Sequence, residues 1–411
     1  MNLQDPVPDS LLRHRPFVLY WNARISASVA FQMVGVAVGW QMYAITGSAL
    51  DLGLVGLAQF LPATVLMLVA GGLADRYDRR RILQLCQTVE GLACAALAYG
   101  SLTGAINKTF ILAAVFVLGA GRAFEATTNQ ALMPAVVPVA LFPRAVAASS
   151  TTTQVATISG PAIGGLLYAV SPTFVYAICA GLFLCAAAQL AFFRVERVAS
   201  TRPPLTLATL FAGLSYIRQN RIVLGVIMLD LFAVLLGGAT ALLPVYAKDV
   251  FDVGPSGLGL LRSAPAVGAL VTLSALMHSP LTRRIGRIEF ATVAVFGLAT
   301  IVFAVSGSFW LSMAALAVLG AADSISVVIR MTLVQLETPD DLRGRVSAVN
   351  SLFVSMSNQI GDFRAGVVAA FIGAVPAVLV GGIGTLLTVV FCVRAFPELY
   401  RVDSFHKEHT R

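Results

Sequence analysis

Ten ionisable side chains lie inside the long apolar segments of this 411-residue sequence. A charged side chain at the centre of a hydrocarbon layer costs about 2.5–3.5 kcal/mol on insertion scales, so a buried charge is usually paired or functional. The ten residues are Arg24, Glu90, Arg122, Glu125, Asp230, Arg262, Asp323, Arg330, Asp362 and Arg364. Side chains of these types can exchange protons, form buried ion pairs and bind a charged group on a substrate.

Two of the ten have a spacing that predicts a direct contact. Arg122 and Glu125 are three residues apart, which places them on one face of a helix. Each buried acid can instead be half of a permanent ion pair, and for any single residue we favour that interpretation. We nevertheless expect one acid to change its protonation state during function, because perturbed acids concentrate at functional sites. The four candidates are Glu125, Asp230, Asp323 and Asp362.

Other polar residues in the apolar segments have less specific interpretations. Glu90 lies in the third segment and is interpreted as structural. Arg24 and Arg330 lie near the ends of their segments, where a long side chain can reach the interface by snorkelling. Gln32, in the first segment, offers a neutral polar group that can line a cavity or join two helices.

The composition indicates a membrane protein with many crossings. Hydrophobic residues make up 58% of the chain and charged residues 12%, whereas soluble domains average about 25% charged. The net charge of +8 does not indicate nucleic-acid binding, because the basic residues lie in short loops between apolar segments. The sequence has neither a Gly-x-x-x-x-Gly-Lys-Ser/Thr loop nor a His-Glu-x-x-His motif, so we expect no ATP-driven step, no metal and no cofactor.

Twelve segments are long enough to cross a bilayer, which takes about 20 apolar residues. The predicted spans are 17–45, 52–74, 82–104, 109–135, 143–169, 173–193, 222–246, 256–277, 289–307, 310–335, 346–371 and 375–396. The longest connection contains Pro203-Pro204 and a predicted surface helix over 205–219. We therefore predict an all-α fold with four parts: a six-helix bundle (1–193), a linker (194–221), a second six-helix bundle (222–396) and a tail (397–411).

The positive charges predict the orientation of this array. With twelve spans both termini lie on one side, and 21 of the 28 Lys and Arg residues fall there. Only Lys108 and Lys248 fall on the other side, and five arginines lie within spans. Because cytoplasmic loops are the positively charged ones, we expect both termini in the cytoplasm.

The two halves repeat with an offset of 201 residues. Gly119 then aligns with Gly320, and Arg144 aligns with Arg345. One register also pairs further residues of the fourth and fifth spans with residues of the tenth and eleventh: Pro138 with Pro339, Gly160 with Gly361, and Gly165 with Gly366. In the same register Asp323 aligns with Arg122, so opposite charges occupy equivalent positions.

A short polar loop joins the second and third spans. It reads Gly71-Gly72-Leu73-Ala74-Asp75-Arg76-Tyr77-Asp78-Arg79-Arg80-Arg81, with four arginines and two aspartates in its last seven residues. The loop can clamp two helices or serve only as an anchoring turn. Its pattern Gly-x-Leu-Ala-Asp-Arg-x-x-Arg-Arg resembles the loop between helices two and three of the major facilitator superfamily. Asp78 replaces the usual glycine, a departure similar to that of the enterobactin-exporter-like branch.

The resemblance extends along nearly the whole chain. Gly160-Pro161-Ala162-Ile163-Gly164-Gly165 resembles the fifth-helix motif of the superfamily's exporters, where it can bend the helix or simply allow close packing. Stretches 243–248, 338–345 and 357–362 look like the enterobactin-exporter-like branch. The resemblance implies two parallel repeats of six helices with pseudo-two-fold symmetry and a substrate site between them near the midplane.

The resemblance also implies roles for individual residues. The loop residues Gly71, Asp75, Arg76, Arg79 and Arg80 would form a gate, with Asp75 and Arg79 locking against the start of the eleventh helix. The superfamily lines its cavity chiefly with the first, fourth, seventh and tenth helices. The candidates for the cavity or for coupling are therefore Arg24, Gln32, Arg122, Glu125, Asp230 and Asp323, to which we add Asp362 and Arg364 of the eleventh.

The resemblance predicts a secondary-active transporter of the bacterial inner membrane, and not an enzyme. It would export a small amphipathic organic molecule such as a drug or a siderophore by alternating access, with proton antiport, as a monomer. Transport of a lysophospholipid on the same fold, and uptake instead of export, are the alternatives. A membrane-embedded enzyme or sensor would need a nucleophile, metal set or output domain, and the sequence offers none.

Overall fold

The computed structural model describes residues 11, 14–138, 141–193 and 207–405, with the side chains of 67–76, 130–131 and 207–210 left out. These residues form helices and no strand. In chain order the helices are α1 (Arg15–Thr46), α2 (Ala49–Arg76), α3 (Arg79–Thr103), α4 (Lys108–Val136), α5 (Phe142–Val170), α6 (Pro172–Ala191), α7 (Leu207–Gln219), α8 (Arg221–Gly237), α9 (Leu243–Val245), α10 (Gly254–His278), α11 (Ile285–Val305), α12 (Phe309–Glu337), α13 (Asp340–Ile372), α14 (Ala374–Ala395) and α15 (Pro397–Tyr400). The surface helix expected over 205–219 is α7.

Ten of the described helical segments are long and apolar enough to cross a membrane. α5 and α13 are not among these ten, although they have 29 and 33 residues. Both are rich in polar residues. The run 149–154 of α5 reads Ser-Ser-Thr-Thr-Thr-Gln, and α13 has four charged residues before Asn350 and two more, Asp362 and Arg364, after it. The chain is therefore a helical, multi-pass protein, and the two polar helices lie at equivalent places in the predicted repeat.

The predicted seventh span, 222–246, falls within the apolar segment Arg221–Val250, which is long enough to cross a membrane, but this segment is not one continuous α-helix. α8 ends at Gly237, and a 3-10 turn (Thr240–Leu242), the short α9 and a π-helical turn (Tyr246–Val250) follow. Gly237 and Gly238 lie at the break, and Pro244 follows it, where its missing N–H cannot continue the regular ladder. The π-helical turn is a second departure from α-helical geometry in this segment, and π-helical turns often occur at functional sites.

The described chain divides into two compact units. The first contains residues 1–46 and 58–205, and the second contains 47–57 and 206–411. The start of α2 thus belongs to the second unit, where Gly53 lies against Gly366 of α13: a Cβ atom built on Gly366 would be 2.8 Å from the Cα atom of Gly53. Glycines permit this approach of two backbones, as in other close membrane-helix contacts.

Each unit has its own packing. In the first, α1 packs on α5 and α6, and α3 packs on α4 and α6. In the second, α12 packs on α10 and α11, and α14 packs on α8 and α11. The buried core of the second unit is built from apolar side chains of α8, α11, α12 and α13, including Leu229, Phe290, Ile329 and Val346. These cores position the polar groups described next.

Candidate functional site

Arg122 and Glu125 form an ion pair on α4, with 3.3 Å between Nη1 and Oε2. The carboxyl of Glu125 is buried, whereas 46% of the Arg122 side chain is exposed. The guanidinium also lies over the ring of Phe31 on α1, 4.3 Å from its centroid. Arg122 therefore has one partner inside the unit, one aromatic face beside it, and a free surface for another group.

Glu90 of α3, interpreted from the sequence as structural, lies beside this pair. Its side chain is fully buried and interacts electrostatically with Glu125 and Arg122. Gly121 provides the space, since a Cβ atom there would lie 2.5 Å from Oε1 of Glu90. Among the described residues, no hydrogen-bond donor reaches either carboxyl oxygen of Glu90 or Oε1 of Glu125.

The polar surroundings of the cluster continue onto α1 and α5. The Tyr20 hydroxyl donates to Oδ1 of Asn129 at 3.2 Å. Arg24 donates to the hydroxyl of Ser149 at 3.4 Å, and Tyr20 interacts electrostatically with both Arg24 and Glu125. Arg24 is thus tied to neighbouring helices of its own unit, and a chain of polar contacts connects α1, α4 and α5.

The exporter-like motif of α5 lies at a helix contact. Gly160, Pro161, Gly164 and Gly165 are all buried. A Cβ atom on Gly160 would lie 2.5 Å from Cβ of Gln32, and one on Gly164 would lie 2.8 Å from Cα of Met33. The motif brings α5 against α1, and Gln32 packs at that contact.

The polar loop between α2 and α3 has a visible local role. Asp78 caps α3 by accepting a hydrogen bond from the backbone N–H of Arg80 at 3.0 Å. The Arg80 guanidinium donates to the carbonyls of Ala191 and Phe193, at 3.3 and 2.6 Å, and so caps the end of α6. The side chains of the other predicted gate residues before Tyr77, which are Gly71, Asp75 and Arg76, lie outside the described part of the structure, and the predicted lock of Asp75 and Arg79 stays a prediction.

In the second unit, Arg364 caps the broken seventh span. Its Nε donates to the carbonyl of Leu235 at 2.9 Å, and Nη2 donates to the carbonyl of Leu236. These carbonyls lie in the last turn of α8, where the intrahelical donors run out and the helix dipole is negative. The guanidinium is thus engaged by the end of a helix.

Asp362, two residues earlier on α13, faces the other side of the same break. It accepts a hydrogen bond from Thr240 at 3.3 Å and contacts the backbone of Ala241, at the start of the 3-10 turn. Arg262 of α10 interacts with it electrostatically. α13 therefore places the Asp362 carboxylate at the start of the 3-10 turn and the Arg364 guanidinium at the end of α8.

Asp230 of α8 and Arg330 of α12 form a buried ion pair. Both side chains are almost fully buried, so the snorkelling interpretation of Arg330 is wrong: the guanidinium pairs within the unit and does not reach outward. Nε of Arg330 has no acceptor among the residues that the structure describes. The pair joins two helices that the family resemblance places beside the cavity.

A second buried acid lies behind this pair. Glu289 of α11 is fully buried, and its Oε1 accepts a hydrogen bond from Ser326 at 2.8 Å. Asp323, one turn before Ser326 on α12, interacts with Glu289 electrostatically. Asp230, Asp323, Ser326 and Thr292 line a cavity of about 10 Å³, close to the space that one water molecule needs.

The sequence analysis did not name Glu289 as a candidate, and it did not predict the contact between Glu90 and Glu125. Glu289 was placed at the first residue of a predicted span, but α11 begins at Ile285 and carries Glu289 into its second turn. The interpretation of Glu90 as structural considered only its position on the third span. The neighbouring helix α4 has a glycine, Gly121, one turn before Glu125, which leaves room for the Glu90 side chain. A glycine on one apolar segment that can face an acid on another segment is the signal that could have predicted this contact.

The comparisons with known proteins cover nearly the whole chain. The model of the transmembrane secretion effector family matches residues 8–410. The enterobactin exporter EntS of Shigella dysenteriae serotype 1 (strain Sd197) is 28% identical over 395 residues, which is 93% of this chain and 88% of that one. EntS of Salmonella choleraesuis (strain SC-B67) is also 28% identical, over 93% and 89% of the two chains.

Solved transporter structures share the fold at low sequence identity. A bacterial homologue of the human lysosomal transporter Spinster gives a TM-score of 0.70 at 15% identity, over 97% of both chains. A structure of the nucleoside transporter NupG gives 0.74 at 12% identity, over 92% of this chain and 100% of that one. A bacterial homologue of the iron transporter ferroportin gives 0.69 at 16% identity, over 96% and 100%.

Proposed function

Since this chain belongs to the transmembrane secretion effector family of the major facilitator superfamily, we propose that it exports a small amphipathic organic molecule by proton antiport. Membership of the family makes the chain a multi-pass membrane transporter and not an enzyme. The proposal adds the substrate class, drug or siderophore-like, the alternating-access cycle and the coupling to protons.

The observation that carries the proposal is the likeness to exporters named for enterobactin over 93% of the chain. Enterobactin is the molecule for which those relatives are named. At 28% identity we propose for this chain only a substrate of a similar class. The half-exposed guanidinium of Arg122, beside the ring of Phe31, offers a cation and an aromatic face to such a molecule. Gln32 and Arg24 lie on the same helix as Phe31 and extend the polar lining.

The proposed architecture has twelve spans in two six-helix halves related by a pseudo-two-fold axis. The ten apolar helices support it, together with the repeat that equates the two remaining long helices, α5 and α13. The proposal places the protein in the bacterial inner membrane as a monomer, with both termini in the cytoplasm. The strong bias of Lys and Arg toward the loops on one side supports this orientation.

Reconstituted protein tests the function directly. Purified protein is first screened by thermal shift against siderophores, antibiotics and lysolipids, and the molecules that stabilise it are used as transport substrates. We expect proteoliposomes with an inward-directed proton gradient to move such a substrate outward and to release protons into the lumen. Substrate movement that is unchanged after the proton gradient is collapsed would contradict proton coupling.

The same preparation separates the alternatives. Arg122 could meet a lipid phosphate, since a guanidinium binds phosphate in a two-pronged geometry. Movement of a headgroup-labelled lysophospholipid without movement of any dye or siderophore would favour lipid transport. Accumulation of substrate on the side of the termini under the same inward-directed proton gradient would favour uptake.

A further inference from the structure

Several buried carboxyl oxygens between α3 and α4 of the first unit have no hydrogen-bond donor among the described residues. Both oxygens of Glu90 and Oε1 of Glu125 have no donor among the described residues, and both side chains are more than nine-tenths buried. Gln87, three residues before Glu90, adds a side-chain carbonyl oxygen without a partner. A buried acceptor without a donor is costly, so this arrangement requires an additional proton or another donor.

The charges of the cluster lead to the same requirement. With both carboxyls ionised, Glu90, Glu125 and Arg122 carry a net charge of −1 in a buried setting. One added proton makes the cluster neutral and turns one carboxyl into a donor for the other. Two carboxyls that share a site usually hold one proton between them, because both cannot remain charged at close range.

We propose that Glu90 and Glu125 form a proton-binding site that holds one proton between the two carboxyls, with Arg122 balancing the remaining charge. The pair takes the proton from water and returns it to water, and no other bond forms or breaks. The pair binds the coupling proton of the transport cycle, an assignment that rests on the proposed proton antiport.

The groups around the pair come from three helices. Cys86 and Cys94 lie on α3, one turn to either side of Glu90, and both interact with it electrostatically. α4 contributes Arg122, and α1 contributes Tyr20, which interacts with Glu125. α6 contributes only the thiol and phenol of Cys179 and Tyr176, which act on Cys94 and on each other. Arg122 is thus the cation in direct contact with the pair, and Arg24 acts on the neighbouring Tyr20.

Arg122 connects the site to the outside of its unit. Its guanidinium contacts the buried carboxyl of Glu125 at one end, and nearly half of its side chain is exposed. A positively charged group of a substrate at this exposed end would favour the ionised form of the pair and so release the proton, which is the direction that antiport requires. This link couples two binding events without requiring that the substrate touch Glu90.

Infrared spectroscopy of purified protein, recorded at stepped pH without substrate, tests the proton site. A protonated carboxyl has a carbonyl band that a carboxylate lacks, and the band shifts in heavy water. We expect Glu90→Gln to remove one such band, because Glu125 is then left with Arg122 as its partner. We expect Glu125→Gln to keep the band of Glu90 but to displace its titration midpoint by about one pH unit or more, as for strongly interacting groups.

Glu398→Gln is the matched control. It makes the same chemical change at a half-exposed carboxyl that pairs with Arg221 at 3.5 Å, outside the cluster, and should leave the band and its midpoint unchanged. A band that persists at the wild-type midpoint in Glu90→Gln would overturn the proposed site. If Glu90→Gln does not fold, an unchanged midpoint in Glu125→Gln overturns it equally.

Transport measurements then test the coupling role separately. We expect Glu90→Gln to lose substrate movement driven by a proton gradient, by at least about tenfold, while exchange of labelled for unlabelled substrate continues. Gradient-driven transport at the wild-type rate in Glu90→Gln would overturn the assignment of the coupling proton. Wild-type protein that transports without regard to the gradient would instead refute the proposed antiport, and the infrared result would still decide whether the proton site exists.

Discussion

Asp230 and Glu90 are both carboxyls buried in helical cores, yet their surroundings differ. Asp230 has the guanidinium of Arg330 as a direct partner, whereas Glu90 has no donor in the described structure. A paired charge of this kind is strongly destabilising to break, because its partner is left charged in an apolar setting. The first acid is therefore expected to act as a structural tie and the second as a proton carrier.

The tie between α8 and α12 gives the first prediction. Asp230→Asn leaves the Arg330 guanidinium buried without its carboxylate, and we expect the free energy of unfolding to fall by about 3–5 kcal/mol. Thermal and denaturant unfolding of the purified protein in detergent measures the change. A loss below about 1 kcal/mol would show that Arg330 has found another partner or reached water.

Two variants complete this test. Asp230→Leu combined with Arg330→Met removes both charges and should recover most of the lost stability, since buried ion pairs can often be replaced by apolar residues. Glu398→Gln breaks an exposed ion pair with Arg221 and should cost about 1 kcal/mol or less. If the double variant is as unstable as Asp230→Asn, the charge imbalance is not the cause.

At the scale of helices, glycines set how closely α5 approaches α1. A Cβ atom on Gly164 would lie 2.8 Å from the Cα of Met33, which is backbone and cannot rotate away. The sequence motif alone was compatible with a functional bend or with packing, and the structure shows the packing. Whether the bend created by Pro161 also biases the transport cycle stays a prediction.

The second prediction concerns this contact. Gly164→Ala should separate α1 from α5 and lower the melting temperature by several degrees, because overpacking a close contact typically costs about 1–3 kcal/mol. Gly181→Ala is the matched control, since a Cβ atom on Gly181 of α6 meets nothing within 4 Å. The control should be neutral or slightly stabilising, as alanine favours helix more than glycine does. Equal melting temperatures for the two variants would contradict the packing role.

The break after α8 is the second feature at this scale. A helix end inside a membrane protein must have its free carbonyls satisfied, and Arg364 provides donors for those of Leu235 and Leu236. Asp362 faces the start of the following segment through Thr240. The two charges on α13 thus match the opposite polarities of the two helix ends, and they hold the break in one geometry.

The third prediction follows from this cap. Arg364→Met removes two charged hydrogen bonds, each contributing about 1.5–3 kcal/mol, and should make amide hydrogen exchange over 239–245 faster by about tenfold or more. Hydrogen exchange followed by mass spectrometry measures the rate. Arg394→Met is the control: Arg394 donates to the Val390 carbonyl at an exposed position on α14, and its loss should leave exchange over 239–245 unchanged.

At the scale of the whole molecule, the charge distribution predicts the orientation in the membrane. In the proposed array of twelve spans, most of the Lys and Arg residues fall on the side of the termini, and only Lys108 and Lys248 fall in the opposite loops. The helices begin and end within a few residues of the predicted spans, which keeps these loops short. Short basic loops stay in the cytoplasm during insertion.

The fourth prediction tests this orientation with fused reporters. Green fluorescent protein after Arg411 should fluoresce, and alkaline phosphatase after Asn107, in the loop between α3 and α4, should be active. Phosphatase after Arg411 should be inactive and serves as the control. An active phosphatase at both positions would contradict the even number of spans, and reversed activities would contradict the cytoplasmic termini.

The sequence by itself determined that the chain crosses a membrane many times, where most of the long helices lie, and which family it resembles. Those features depend on local composition, since about 20 apolar residues and basic loops act without reference to the rest of the chain. The Arg122–Glu125 pair could be predicted for the same reason, because both residues lie on one helix face.

Only the tertiary structure brought Glu90 to Glu125, Asp230 to Arg330, and Glu289 to Ser326. It also broke the seventh span and placed Arg364 at the break. Each of these contacts joins residues of different helices, and their distance depends on how those helices rotate and pack. An apolar segment specifies its own length, but a helix that is apolar on all sides does not specify which face meets which neighbour.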